Sequence, residues 1–196
     1  LLLVIQDCCY FSFSFQTYSI ALKGSSIILK YNLFSIGRVM DSEIVVSAFQ
    51  DDSLGSDDAV GIAEKIKKGK LSASLVTQDA VKRAKAVNSK LNAIAVENFD
   101  SAQANSEKSF SGFFQGIPTF IKDTDEVPGL PLYLGSRSLP GEPSDKYSKA
   151  AKQILGTGLN CLGTTTTPEF GLTGTTESLR FGATCNPWNT AYSTGG

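Results

Sequence analysis

Apolar positions in the first half of the chain recur at helical spacing. Ala59, Ile62, Ala63 and Ile66 fall on one face of a helix, the arrangement that lets one stripe meet a core. Ser56 ahead of Asp57 and Asp58 predicts an N-cap with acids in the first turn. Lys65, Lys67 and Lys68 suit the negative end of the helix dipole, and Gly69 ends the element. A second stripe, Leu75, Val76, Ala80, Ala84 and Val87, follows a cap at Ser72 or Ser74. Asp79, Lys82, Arg83 and Lys85 read mostly as its solvated face. Asn92–Val96 reads as a short strand, and residues 100–108, polar with alanines at 102 and 104, as a short helix. Past Gly116 the pattern changes. Strand-like Ile117–Ile121 and Leu159–Leu162 flank a helical stretch, Ser148–Leu155, among Gly- and Pro-containing loops. Strands alternating with helices predict an α/β arrangement, a sheet covered by helices.

The first forty residues have another texture. Phe11-Ser12-Phe13-Ser14-Phe15 alternates as a strand with one apolar face would, acids are almost missing, and Met40 is the only methionine. Leu1–Ile5 precede Lys23 and Lys30, the reverse of a secretory signal. Gln6, Asp7 and the serines interrupt the roughly 20 apolar residues that a membrane span requires. The expectation is that residues 1–39 are upstream translated sequence and that the protein starts at Met40. A polar, flexible Asp51-Asp52-Ser53 stretch then leads into one domain over 40–196, helical from 56 to 110 and entering an α/β core from 111 to 196.

Composition narrows the chemistry. The chain has 196 residues, 41% hydrophobic content and a formal net charge of −1, which fits a globular protein with no pull toward polyanions. No Lys/Arg run exceeds two residues, so neither nucleic acid nor a membrane surface is expected as a partner. Histidine is absent. That removes Ser-His-Asp and Cys-His catalysis and the commonest zinc ligand. Cys8, Cys9, Cys161 and Cys185 form no CxxC pair, so no metal is expected, and reduced thiols in a cytoplasmic protein are the favoured reading.

Two features carry candidate chemistry. Gly116-Ile117-Pro118-Thr119-Phe120-Ile121 is an apolar run ending in Lys122 and Asp123. A lysine at a strand end is most often a solvated charge. A lysine that follows an apolar run from the interior can instead be a base. An ordinary lysine, with a pKa of about 10.4, is neutral in only about one molecule in a few thousand at pH 7. Burial beside apolar groups brings the value toward ~7–8, where the amine can accept a proton from a hydroxyl. In an extended segment Asp123 should point away from Lys122. The second feature is Gly195-Gly196 after Ser193-Thr194. Paired glycines permit positive φ and close approach, and successive amides can form an oxyanion hole; on two glycines alone a plain flexible turn is the favoured reading. Gly156-Thr157-Gly158 follows a helix and lacks a third glycine, so it reads as a helix-terminal turn rather than a nucleotide loop. Asn186-Pro187-Trp188-Asn189 reads as a turn with a large aromatic anchor. Thr164–Thr167 reads as a strand-to-helix passage whose hydroxyls cap backbone groups.

These segments, taken in order, resemble the amidase signature family of serine hydrolases. Gly116-Ile117-Pro118 with Ile121-Lys122-Asp123, then Gly129-Leu130-Pro131 and Gly135-Ser136, carry the first part of the resemblance. Leu162-Gly163, Thr167-Pro168-Glu169-Phe170-Gly171, Phe181-Gly182-Ala183-Thr184, Asn186-Pro187-Trp188-Asn189 and Ser193-Thr194-Gly195-Gly196 carry the rest, and the match runs from about residue 57 onward. The resemblance implies an amidase-signature mixed sheet covered by helices, only part of which is present. It implies amide-bond hydrolysis by a Ser-Ser-Lys set, with Lys122 as ultimate base and proton source. Gly195 and Gly196 would lead into the relay loop, and both serines would lie beyond Gly196, so that this chain alone would be inactive. A small-molecule amide as substrate and no cofactor follow; a homodimer stays open. Thr164 stands where the family commonly has lysine and Cys185 where it commonly has arginine, which bears on loop support or substrate preference. Two alternatives remain: the amidase subunit of glutamyl-tRNA amidotransferase, to which Leu130–Ser136 is less similar, and a non-catalytic truncated relative.

Overall fold

The computed structural model describes residues 45–196; the expected upstream extension over 1–39 and the expected start at Met40 lie outside the described residues. Helix α1 spans Ala59–Lys67. Its N-cap is Asp58 rather than Ser56, because the Asp58 carboxylate reaches the free Gly61 amide at 2.7 Å. Gly69 takes φ 70° just past its end. Helix α2 spans Ala73–Leu91 and is capped by Ser72, whose hydroxyl accepts from Leu75 N at 3.1 Å. It closes on Asn92 in the left-handed region, one of the few residues that accept that conformation without glycine.

The stripe on α2 differs in detail from the one expected. Val76, Ala80 and Ala84 are buried, whereas Leu75 is exposed. Arg83 and Asp79 leave the expected solvated face and are buried. Arg83 donates from Nε and Nη2 to the two carboxylate oxygens of Asp52 at 2.7 and 2.5 Å, and from Nη2 to the carbonyls of Gln50 and Gly55. Asp79 accepts from Ser53 N at 3.1 Å. The Asp51–Ser53 stretch, expected to be flexible, is thereby fastened onto α2. A bidentate Arg–carboxylate pair has the geometry to hold a loop in one place.

Strand β1 (Ile94–Glu97), helix α3 (Phe99–Asn105), strand β2 (Pro118–Lys122), helix α4 (Lys149–Gly156) and strand β3 (Asn160–Thr165) follow. They form a three-stranded sheet in the order β1-β3-β2. β3 is antiparallel to β1 and parallel to β2, so β2, α4 and β3 make a crossover unit. Ser148 caps α4 through Ala151 N, and Gly158 takes φ 97° where the chain turns back into β3, the helix-terminal turn expected of Gly156-Thr157-Gly158. β3 carries a bulge. Its register shifts between Thr119 and Ile121 of β2, and a Cβ on Gly163 would run into the Val96 carbonyl. Glycine at 163 is therefore required by close approach.

Alternation along β2 feeds two cores. Phe120 packs with Ala80, Ala84, Phe99, Ala102 and Leu162 against α2 and α3, its ring edge-on to Phe99 at 6.3 Å. Ile121 packs on the opposite face with Val127, Leu130 and Ala151 of α4. Each such burial contributes about 1.5–3 kcal/mol. Because both faces are covered, β2 reads as a continuous apolar run rather than an alternating one. Ile117 joins Ile62, Ala63 and Val76 in a third cluster beneath α1.

Beyond β3 a 3-10 turn at Glu169–Gly171 precedes two short hairpins, β4 (Glu177–Ser178) with β5 (Gly182–Ala183), and β6 (Cys185–Asn186) with β7 (Asn189–Ser193). The turn at 186–189 forms as expected, but Trp188 is exposed and anchors nothing. Asn186 Oδ1 accepts from Trp188 N at 2.9 Å and sets the turn instead. Among the described residues no helix is long and apolar enough to cross a membrane.

Candidate active site

Parallel pairing puts the carboxyl ends of β2 and β3 at the same edge of the sheet, with Lys122 opposite Thr165. In open α/β sheets this edge is where ligands bind. Lys122 is the last residue of β2, and its side chain is exposed there. The dry surroundings expected for its amine are not supplied by the described residues. Asp123 continues the ladder by donating its N–H to Thr165 O at 2.9 Å, and its side chain is fully buried. The two side chains diverge, as expected of an extended segment.

Among the described residues the Asp123 carboxylate is engaged by backbone alone. Tyr133 N donates to Oδ1 at 2.9 Å and Gly135 N to Oδ2 at 3.0 Å. Burial pushes the Asp123 carboxyl above the usual carboxylate range, against the opposing pull of the two amides and of the Arg180 charge. Gly135 takes φ 64° and backs onto the Thr167 carbonyl, leaving no room for a side chain.

The same loop is gripped from two more sides. Ser136 Oγ donates to Glu169 Oε1 at 2.5 Å and accepts from Ser138 N at 3.1 Å. Arg180 donates from Nη1 to the carbonyls of Ser136 and Leu139 at 3.1 and 3.3 Å. Its guanidinium lies 3.5 Å from the Tyr133 ring centroid, a stacking that favours arginine over lysine. Phe170 N reaches Leu134 O at 2.8 Å.

The terminal segment returns to this edge. Thr176 N donates to Thr194 O and Thr176 Oγ1 to Gly195 O. Gly196 lies against the Thr173 carbonyl and the Pro168 ring. Neither Gly195 nor Gly196 is among the positive-φ glycines; close approach, not a left-handed backbone, is what Gly196 requires here. Pro168 stands three residues past the end of β3, so β3 brings the diglycine to the edge that carries Lys122. Two hydroxyls at this end, Thr164 Oγ1 and Thr167 Oγ1, are buried with no hydrogen-bond partner among the described residues, contrary to the expected capping of backbone by this threonine run; within it only Thr166 does so, at 3.4 Å from Ala93 O.

Sequence reasoning missed the clamp of Asp123, Glu169 and Arg180 on the 133–139 loop. Glu169 was visible only inside a motif, and nothing local marks Arg180. Cys161 and Cys185 are free thiols, and burial raises both above their ordinary range, which disfavours the reactive thiolate. Among the described residues no three of His, Cys, Asp and Glu gather as a metal would need.

A parallel crossover unit in a sheet covered by helices, with a lysine and a buried aspartate at its carboxyl edge, defines an α/β domain. The chain belongs to the amidase family: the family model described as Amidase matches residues 75–196. It is 41% identical over 150 residues to the protein named "Putative amidase AmiC" of Mycobacterium leprae (strain TN), covering 76% of this chain and 32% of that protein. It is 33% identical over 142 residues to the 6-aminohexanoate-cyclic-dimer hydrolase of Paenarthrobacter ureafaciens, covering 71% of this chain and 29% of that one. Among solved structures, 6-aminohexanoate cyclic dimer hydrolase complexed with substrate superposes with a TM-score of 0.65 at 33% identity, covering 71% of this chain and 30% of that chain. This chain thus spans about a third of the length of the curated relatives it matches.

Proposed function

We propose that this chain supplies the amino-terminal part of an amide hydrolase whose terminal proton acceptor is Lys122. The observation that carries the reading is the position of Lys122 at the last residue of a buried parallel strand, on the edge to which the Gly195-Gly196 segment returns, within a stretch that matches the amidase family. In this reading Lys122 draws a proton from a relay serine, which draws it from a nucleophilic serine; both serines belong to polypeptide beyond Gly196. The nucleophile attacks the amide carbonyl, and the proton returns through the same relay to the leaving amine. Amides of the 195–196 loop would face the oxyanion. Polypeptide packed over the sheet edge would take the exposed Lys122 amine out of water and favour its neutral form. The substrate is a small-molecule amide, the setting cytoplasmic, and no cofactor takes part.

The glutamyl-tRNA amidotransferase reading has less support: the glutamyl-tRNA(Gln) amidotransferase polypeptide of Synechococcus sp. (strain CC9311) is 30% identical over 141 residues, below the two hydrolases named above. The test is ammonia release from simple amides by the polypeptide that continues past Gly196. Lys122→Ala is expected to lower kcat by about 10³-fold or more with the fold kept, the loss typical of removing a member of a hydrolase catalytic set. Turnover unchanged in that variant would remove Lys122 from the mechanism. The 196-residue chain alone is expected to release none, and release from it would show that the serines are within these residues.

A further inference from the structure

We infer that Asp123 is a positioning residue for the Lys122 site: its buried carboxylate fastens the 130–139 loop to the carboxyl end of β2, so that the loop stands as a fixed wall beside the lysine. This rests on the reading of Lys122 given above. Asp123 is fully buried, yet among the described residues it touches no side-chain cation within ion-pair distance; its two oxygens take the amides of Tyr133 and Gly135 at 2.9 and 3.0 Å. A turn can be closed by neutral groups without burying a charge, and burying a charge costs stability. Retaining a carboxylate at the residue after the proposed base therefore needs a reason beyond closing a turn.

The geometry gives one. Lys122 and Asp123 share a strand end, so whatever fixes the Asp123 side chain also fixes the direction in which Lys122 leaves the sheet. The carboxylate ties that strand end to the loop, while Glu169 beyond β3 holds Ser136 Oγ at 2.5 Å and Arg180 in the β4–β5 turn holds the Ser136 and Leu139 carbonyls. The first two grips come from residues that follow β2 and β3, and the third comes from the β4–β5 hairpin. The charge that acts on the carboxylate is Arg180; Lys122 precedes it at the end of β2, and Glu169 holds the same loop through Ser136. The Tyr133 ring lies under the Arg180 guanidinium and edge-on to Phe181 at 5.7 Å, so Arg180 grips the loop through a ring as well as through carbonyls. Burial raises the Asp123 carboxyl while the two amides and Arg180 lower it.

Two measurements test this. In the 196-residue chain the amide proton shifts of Tyr133 and Gly135 should move together through a single titration in acid, and stay flat in Asp123→Asn. The wild-type titration needs no variant to fold, and independent movement of the two amides, or none, overturns the tie. In the polypeptide that continues past Gly196, ammonia release is followed from linear primary amides, acetamide to octanamide. Asp123→Asn should lower kcat about 10- to 100-fold, as small misplacements of catalytic groups do, with KM for the best amide changed by less than about threefold. A purely structural role would lower the folded fraction and the thermal midpoint without that split. Unchanged kcat in Asp123→Asn beside an inactive Lys122→Ala overturns the positioning role and keeps the lysine reading. A fully active Lys122→Ala, or no release from any amide by the wild type, overturns the lysine reading and the role beside it, whatever the two amides do.

Discussion

At the scale of single residues Asp52 and Asp123 behave in opposite ways, and the difference is testable. Asp52 lies against Arg83, whose side chain is 2% exposed, and the arginine's hydrogen bonds hold the Asp52 carboxyl below its ordinary 3.8. Its folded value is depressed, so between the two values the native state binds fewer protons than the unfolded chain. The pair's stabilisation is complete above about pH 4 and is lost as pH falls through the folded value. Asp123 has the reverse sign: its folded value is raised by burial, so its ionisation costs stability once pH rises through that value, and acid relieves the cost. Asp52→Ala should destabilise the chain by about 3 kcal/mol at pH 7, the lower end for stranding a buried charge, since the Gln50 and Gly55 carbonyls remain to Arg83. Urea unfolding from pH 3 to 7 checks it: the gap between wild type and variant should begin to narrow as pH falls below about 4. A gap independent of pH would mean that the pair acts through packing alone. The place of Lys122 at a strand end was legible in the sequence because an apolar run led up to it; its exposure was not. Arg83 was not, because a helical charge looks the same whether water or a distant loop receives it, and residue 52 is separated from it by a whole helix.

At the scale of elements, caps and glycines can be ranked by what surrounds them. Gly163 and Gly69 both have positive φ, 141° and 70°. A Cβ on Gly163 meets the Val96 carbonyl, whereas on Gly69 it meets nothing within 4 Å. Gly163→Ala should therefore cost roughly 2 kcal/mol or more, backbone strain plus displacement of β1, and Gly69→Ala only about 1 kcal/mol from the left-handed backbone. Paired denaturation midpoints measure the ratio, and equal losses would mean that β1 gives way without cost. Ser72→Ala, which removes the hydroxyl from Leu75 N, should cost about 1 kcal/mol. Helices α1, α2 and α4 and strands β2 and β3 were readable because each has a stripe, a cap or an apolar run of its own. Ser56 and Asp58 are both good acceptors, and only backbone direction decides that Asp58 is the cap. Of the two hairpins only the 186–189 turn was legible: their strands are two to five residues long and held by threonine hydroxyls and distant carbonyls, which leave no periodic trace.

At the scale of the whole molecule the sheet order and the surface act together. The order β1-β3-β2 leaves β2, the strand of Lys122, at a sheet edge among the described residues. Beyond β3, Phe170, Leu172, Leu179 and Tyr192 are 47%, 81%, 72% and 67% exposed. The α/β class and the crossover were legible from the alternation of strand and helix; this edge and these exposed side chains were not, because they depend on which strand pairs with which. An unpaired edge and exposed apolar groups both favour association, and a net charge of −1 with a sequence pI near 5.5 gives little repulsion to oppose it. The chain should therefore self-associate at micromolar concentration, most strongly near pH 5.5. Replacing Leu172 and Leu179 together by Glu removes the two most exposed large apolar side chains among the described residues and moves the charge further from zero. Neither side chain is in the core, so circular dichroism should be unchanged while sedimentation velocity shifts toward monomer. If the double variant associates as strongly as the wild type, the open β2 edge rather than the apolar surface drives association, and a charge placed on the edge itself would be the substitution that disperses it.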